Sequence, residues 1–180
     1  AKILLDHDIS PTEDKNKSEL SVAERKIRSF IVRIDKLLSD YPNYQYIPFY
    51  KAKLMLALGE RDDGLKVFLP YARTNKNESR VWIAMVDFFS DNPDIQFACY
   101  CKALSLNTDE KYLLQVRVDF SRLLEERKMY SEAKTEINTM METRRSRGFM
   151  ISLDLVFLEF PEWYQQAELK KDNQDLYEQH

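Results

Sequence analysis

VWIAMVDFFSDNPDIQFACYCKALSLN, running from Val81 to Asn107, holds the reading that decides the fold. Trp82, Met85, Val86 and Phe89 recur at three- and four-residue spacing, which places them on one face of a helix. Ser90-Asp91-Asn92-Pro93 then supplies a loop and a start signal. An Asn or Asp side chain accepts from the first unpaired N–H groups of a helix, and Pro fits the first turn, where its missing N–H costs nothing. The helix opened there extends to about Leu106. Two helices joined by so short a connection lie antiparallel.

The same pattern continues on both sides. Ile27, Phe30, Ile31, Ile34, Leu37 and Leu38 form an apolar face on a helix starting near Leu20. It stops at Asp40-Tyr41-Pro42, because proline disfavours helix at the residue before it. Tyr46 to Leu58 follows, closed by Gly59 as a C-cap, and then Asp62 to Arg73, with Leu65, Phe68, Leu69 and Ala72 on one side. Downstream, Asp109 to Glu126 and Ser131 to Arg144 form a further pair. Residues 1–19 mix charge with Pro11 and show little periodicity, so they are expected to be a flexible lead-in. The sequence begins at Ala1 with neither an initiator Met nor a signal-peptide pattern, which reads as the start of an excised fragment.

The helix pairs repeat. Gly64-x3-Phe68 in one unit matches Ala133-x3-Ile137 in another, 69 residues on, which is two periods of about 34 plus one residue. Tyr100-x2-Ala103-Leu104-x-Leu106-Asn107, Tyr130-x2-Ala133 and Leu58-Gly59 resemble the second-helix end, the second-helix entry and the inter-helix turn of tetratricopeptide repeats. Units of 45–78, 79–112 and 114–147 emerge, with Phe30, Ile34 and Pro42 in register as the second helix of an earlier one. The resemblance implies an all-α fold: a right-handed α-solenoid of tetratricopeptide-like helix pairs over residues 20–147, with residues 148–180 as a C-terminal cap and helix. The first unit departs from the pattern with Lys51 for Leu and Gly64 for Ala, and the middle one with a shortened inter-helix turn. In the last stretch, Leu153, Leu155, Val156 and Leu158 are expected to cover the end of the third unit, and Pro161-Glu162-Trp163-Tyr164 to open a helix reaching Tyr177.

Composition narrows the functional classes. Three glycines and six prolines in 180 residues are too few for the turns of an all-β fold. A net charge of −3 lacks the basic excess of a dedicated nucleic-acid domain. No apolar run approaches the roughly 18 residues of a membrane span, and a cytoplasmic location is expected. Cys99 and Cys101, two apart on a helix, point to different faces and read as small core thiols. His7 and His180 stand at opposite ends, and the three glycines stand alone, so there is no catalytic pair, metal cluster or phosphate loop. The chain reads as a non-enzyme without a cofactor.

Binding is the function that remains. In tetratricopeptide arrays the first helices of successive units line a concave groove. The resemblance places there Tyr46, Phe49 and Lys53, then Arg80, Ile83 and Asp87, then Gln115, Asp119 and Arg122. The carboxylate clamp of the chaperone-binding branch is missing, since the matching positions hold Phe49, Lys53, Ala84, Gln115 and Asp119. Aromatic residues with both signs of charge suit a protein or peptide partner. The alternative is a helical accessory region of a nucleic-acid-binding protein, suggested by Arg144, Arg145 and Arg147 with Lys102, Lys111, Arg117, Arg122, Arg127 and Lys128 nearby. The runs Tyr50-Lys51-Ala52-Lys53-Leu54 through Phe68-Leu69-Pro70, and Glu136-Ile137 through Arg144-Arg145, also resemble an uncharacterised bacterial helical family in which a cold-shock-like nucleic-acid module can follow such a region. That resemblance would make this chain the scaffold and place nucleic-acid chemistry downstream.

Overall fold

A computed structural model of the chain describes residues 11–41, 44, 46–106 and 108–179, with side chains described from residue 22 on. Among these residues every regular element is helical. The helices are α1 (Pro11–Asp40), α2 (Ile47–Ala57), α3 (Arg61–Thr74), α4 (Ser79–Phe88), α5 (Pro93–Ser105), α6 (Leu114–Glu126), α7 (Tyr130–Ser146), α8 (Leu153–Val156), α9 (Glu162–Gln166) and α10 (Gln174–Glu178). Contacts divide the chain into two compact units at Arg73–Thr74.

In the first unit α1 packs on α2. It begins at Pro11, well ahead of the Leu20 start read from periodicity, so residues 11–19 are helix and not lead-in. Ser10-Pro11-Thr12-Glu13 has the sequence of a helix start, a hydroxyl residue followed three later by Glu with Pro between, although no apolar face accompanies it yet. α1 ends at Asp40 as the following prolyl pair requires; Pro42 itself lies outside the described residues. Lys51, in the place where the repeat favours Leu, bonds Asp35 of α1 at 2.5 Å, so the polar substitution is matched by an acid on the facing helix. Gly59 has φ +77°, and the Glu60 N–H reaches back to the Met55 carbonyl at 2.9 Å. That left-handed turn is the one glycine adopts without the Cβ penalty. Phe68, Tyr71 and Ala72 form the buried side of α3.

In the second unit α4 pairs with α5 and α6 with α7, each across a short connection. The Asn92 side chain accepts from the Ile95 N–H at 3.1 Å with Pro93 at the first helical position, as the sequence required. The turn before it runs from Phe89 to Asn92 and is longer than the three-residue turns 58–60 and 127–129, contrary to the shortened turn expected. The short element is α4 itself, at 10 residues. Asp109–Glu126 is also not one helix: a 3₁₀ turn over Glu110–Tyr112 precedes α6, started by Asp109, whose carboxylate accepts from the Lys111 N–H at 3.2 Å. One core cluster gathers Phe97, Cys101, Leu113, Phe120, Leu124 and Ala133. A second gathers Leu114, Val118, Ile137, Met140, Met141, Leu155 and Tyr164.

The C-terminal segment departs most from expectation. Leu155 is buried against α6 and α7 and Leu158 packs beside it, but Leu153 is 73% exposed; Tyr164 and Ile151 take the place it was given. The helix expected from Pro161 to Tyr177 ends at Gln166 and resumes only at Gln174. Between them the chain runs along α7, exchanging its own helical hydrogen bonds for tertiary ones. Lys134 Nζ donates to the Ala167 carbonyl at 2.9 Å, the Lys170 N–H to Thr135 Oγ1 at 3.1 Å and Asn173 Nδ2 to the Glu132 carbonyl at 3.0 Å. α10 then packs on α5.

Candidate functional site

In the first unit Tyr46, Phe49 and Lys53 stand on successive turns at and beyond the start of α2. Phe49 is half-buried, its ring 5.9 Å from that of Phe68 and 5.5 Å from that of Tyr71, and Tyr46 meets Tyr71 edge-on at 6.3 Å. Lys53 Nζ lies 5.9 Å from the Phe49 ring centre. Phe49 therefore holds α2 to α3, while Tyr46 and Lys53 face outward.

In the second unit α4 and α6 position the remaining six residues. Arg80 and Asp87 are exposed and Ile83 is half-buried against the core. Arg80 Nε is bonded to the Glu78 carboxylate. On α6, Asp119 accepts from Gln115 Nε2 at 3.0 Å and from Arg122 at 3.3 Å, a row at helical spacing. The two helices meet electrostatically at Tyr100 of α5. Its phenol is pushed up to about 12, first by burial and then by the charges of Asp119 and Asp87, with Arg122 opposing. Three of the nine expected groove residues, Asp87, Asp119 and Arg122, thus act on one phenol, and Ile83 packs on the core cluster to which Tyr100 belongs. Arg80 and Ile83 also line a cleft of about 410 Å³ with Glu78, Thr108 and Tyr112. Its wall is fixed where the hydroxyls of Ser79 and Thr108 meet at 2.5 Å.

The cations of the expected basic patch are largely paired. Arg127 binds Asp94 at 2.6 Å and lies over Phe97, Arg147 binds Asp109 at 2.7 Å, and Arg145 lies 3.7 Å from Glu159. Arg117 is not on the surface. It is buried, its guanidinium donating to Glu110 at 2.8 and 2.9 Å, to Glu136 at 2.5 Å and to the Tyr177 hydroxyl at 3.1 Å. Burial alone would lower its pKa, but the hydrogen bonds it donates to Glu110 and the charge of Glu136 outweigh that and hold it above the usual arginine value. Glu136 is fully buried and also accepts from Asn173 Nδ2 at 2.6 Å and from the Tyr177 hydroxyl.

This network ties the C-terminal tail to α6 and α7, and periodicity reading passed over it. The available signal was a charged residue inside each apolar stripe: Arg117 between Leu114 and Val118, and Glu136 between Ala133 and Ile137.

Both cysteines are buried free thiols, raised by burial to about 11 for Cys99 and about 12 for Cys101. Such thiols stay protonated and are poor nucleophiles. Among the described residues no group of three or more His, Cys, Asp or Glu could hold a metal ion; His7 and His180 lie outside them. No helix among the described residues is long and apolar enough to cross a membrane.

No curated protein and no solved structure matches the chain. A family's sequence model does match, over residues 45–180, from the start of α2 to the end of the chain, and it is not a tetratricopeptide family. The helices from α2 onward are therefore those of the family described as Domain of unknown function (DUF7017), to which this chain belongs.

Proposed function

We propose that the chain is a non-enzymatic protein–protein interaction scaffold. In this reading its helix pairs stack as a right-handed tetratricopeptide-like array, and the outward faces of α2, α4 and α6 bind a peptide or protein partner. The observation that carries it is that α4 and α6 present half-buried Ile83 beside the exposed Asp87 and Arg122, with Asp119 bonded to Gln115 and Arg122, so that apolar surface and charges of both signs lie on these two helices. Such a surface gives a partner apolar area to bury and fixes its register by charge. The acid partners of Arg127, Arg145 and Arg147 support this reading over a polyanion, whose phosphates would need those cations unpaired.

The test is affinity capture followed by direct measurement with the purified partner. Asp87→Lys and Arg122→Glu, both at exposed positions, should each weaken a protein partner about tenfold or more with the melting temperature held. Retention of RNA or DNA in place of protein, with affinity falling steeply as salt rises, would overturn the proposal and favour an accessory role in nucleic-acid binding.

A further inference from the structure

The apolar face of α1 is only half used. Ile34 is buried and Ile27, Ile31 and Leu38 are partly covered, yet Phe30 is 52% exposed and Leu37 43% exposed. Together with Ile47, Tyr50 and Leu54 of α2 they line a groove of about 430 Å³ whose walls are almost wholly apolar.

Its rim is cationic. Lys53 of α2 borders the groove on one side. At about 100° per residue, Lys26 and Arg33 fall on the flank of α1 next to Phe30 and Leu37. The acids of α1 between Val22 and Leu38 are Glu24 and Asp35; both fall on the far side, where Asp35 is bound to Lys51. A floor of large apolar side chains between two parallel walls suits the ridge of a helix, which presents anchors at three- and four-residue spacing. The second unit shows this kind of cover within the chain itself. There α10 lies on α5 with Tyr177 buried and Leu176 packed beside it, and Asp172, Asp175 and Glu178 carry its surface charge.

We propose that the groove between α1 and α2 is a docking site for an acidic amphipathic helix of a protein partner. Apolar anchors of that helix cover Phe30, Leu37, Tyr50 and Leu54, and its carboxylates meet Lys26, Arg33 and Lys53. This site lies apart from the face proposed above, except that Lys53 borders both.

The probe is a labelled synthetic helix of about 15 residues, near the shortest length that is helical in water. It carries Leu at three- and four-residue spacing and Glu on both flanks; a twin carries Lys for every Glu. Fluorescence anisotropy with the full chain should show saturable binding of the acidic helix, weakening as salt is raised, and none of the twin. Phe30→Asp, at an exposed position that leaves the circular dichroism spectrum unchanged, should abolish binding. Lys53→Glu should weaken it about tenfold. Arg122→Glu should leave it unaltered, so that failure here and failure of the scaffold reading are separable. Equal binding of the basic twin, or binding that survives Phe30→Asp, overturns the proposal. So does binding to phosphatidylserine vesicles without binding to the helix, which would make the face a membrane contact.

Discussion

Replacing Glu136 with Ala should unfold the second unit at a much lower urea concentration. The carboxylate is fully buried and accepts from Arg117, Asn173 and Tyr177, so the substitution leaves three donors facing an apolar void. Arg117 would keep only Glu110, whose side chain is 39% exposed and therefore screened by water. Removing one partner of a buried ion pair costs about 3–5 kcal/mol, because the surviving charge keeps its desolvation penalty without its compensation. That is a large share of a typical domain stability of about 5–15 kcal/mol. The opposing effect, relief from burying the carboxylate, takes over only when both charges are removed. Arg117→Met with Glu136→Leu should therefore recover most of the loss. Trp82 and Trp163 are the two tryptophans and both lie in the second unit, so fluorescence-detected urea unfolding follows that unit alone. A loss below about 1 kcal/mol for Glu136→Ala, or a double variant as unstable as the single one, would refute the reasoning.

Ala133 is fully buried on the side of α7 that packs in the core with Phe120 and Leu124, so Ala133→Leu should overpack the site and cost about 1–3 kcal/mol in the same urea assay. Alkali should destabilise the chain. Burial holds the protons of Cys99, Tyr100 and Cys101 to about 11, 12 and 12, against ordinary values of 9.0, 10.0 and 9.0. The folded state therefore keeps protons that the unfolded state releases, and stability falls as pH rises above the unfolded values and towards the folded ones. Urea midpoints should be level up to about pH 8 and drop progressively above about pH 9; a flat profile to pH 11 would contradict the burial of these groups.

Local chemistry made most helices legible. Gly59 stops α2, Asn92 and Pro93 start α5, and Phe68 and Ala72 mark the inner side of α3, because caps and periodicity act within a few residues of the chain. The tetratricopeptide resemblance put Asp87, Asp119 and Arg122 in an expected groove, and short connections implied the antiparallel pairs. They did not show that the charges of these three act on the Tyr100 phenol, which depends on how α4 and α6 meet α5. Nor did they show that α9 gives way to a strap along α7. A polar stretch such as Ala167 to Asn173 has helical potential, and only the waiting partners Lys134, Thr135 and Glu132 divert its hydrogen bonds. Arg117 reads as part of a basic surface patch from sequence, since burying an ion is costly unless a partner such as Glu136 is present. Tyr177, 60 residues from Arg117, completes that set only once the chain has folded back. What the sequence determined is therefore what neighbouring residues settle among themselves. The tertiary structure decided which charges are buried and which apolar faces stay open, because desolvation depends on what the fold brings across from distant parts of the chain.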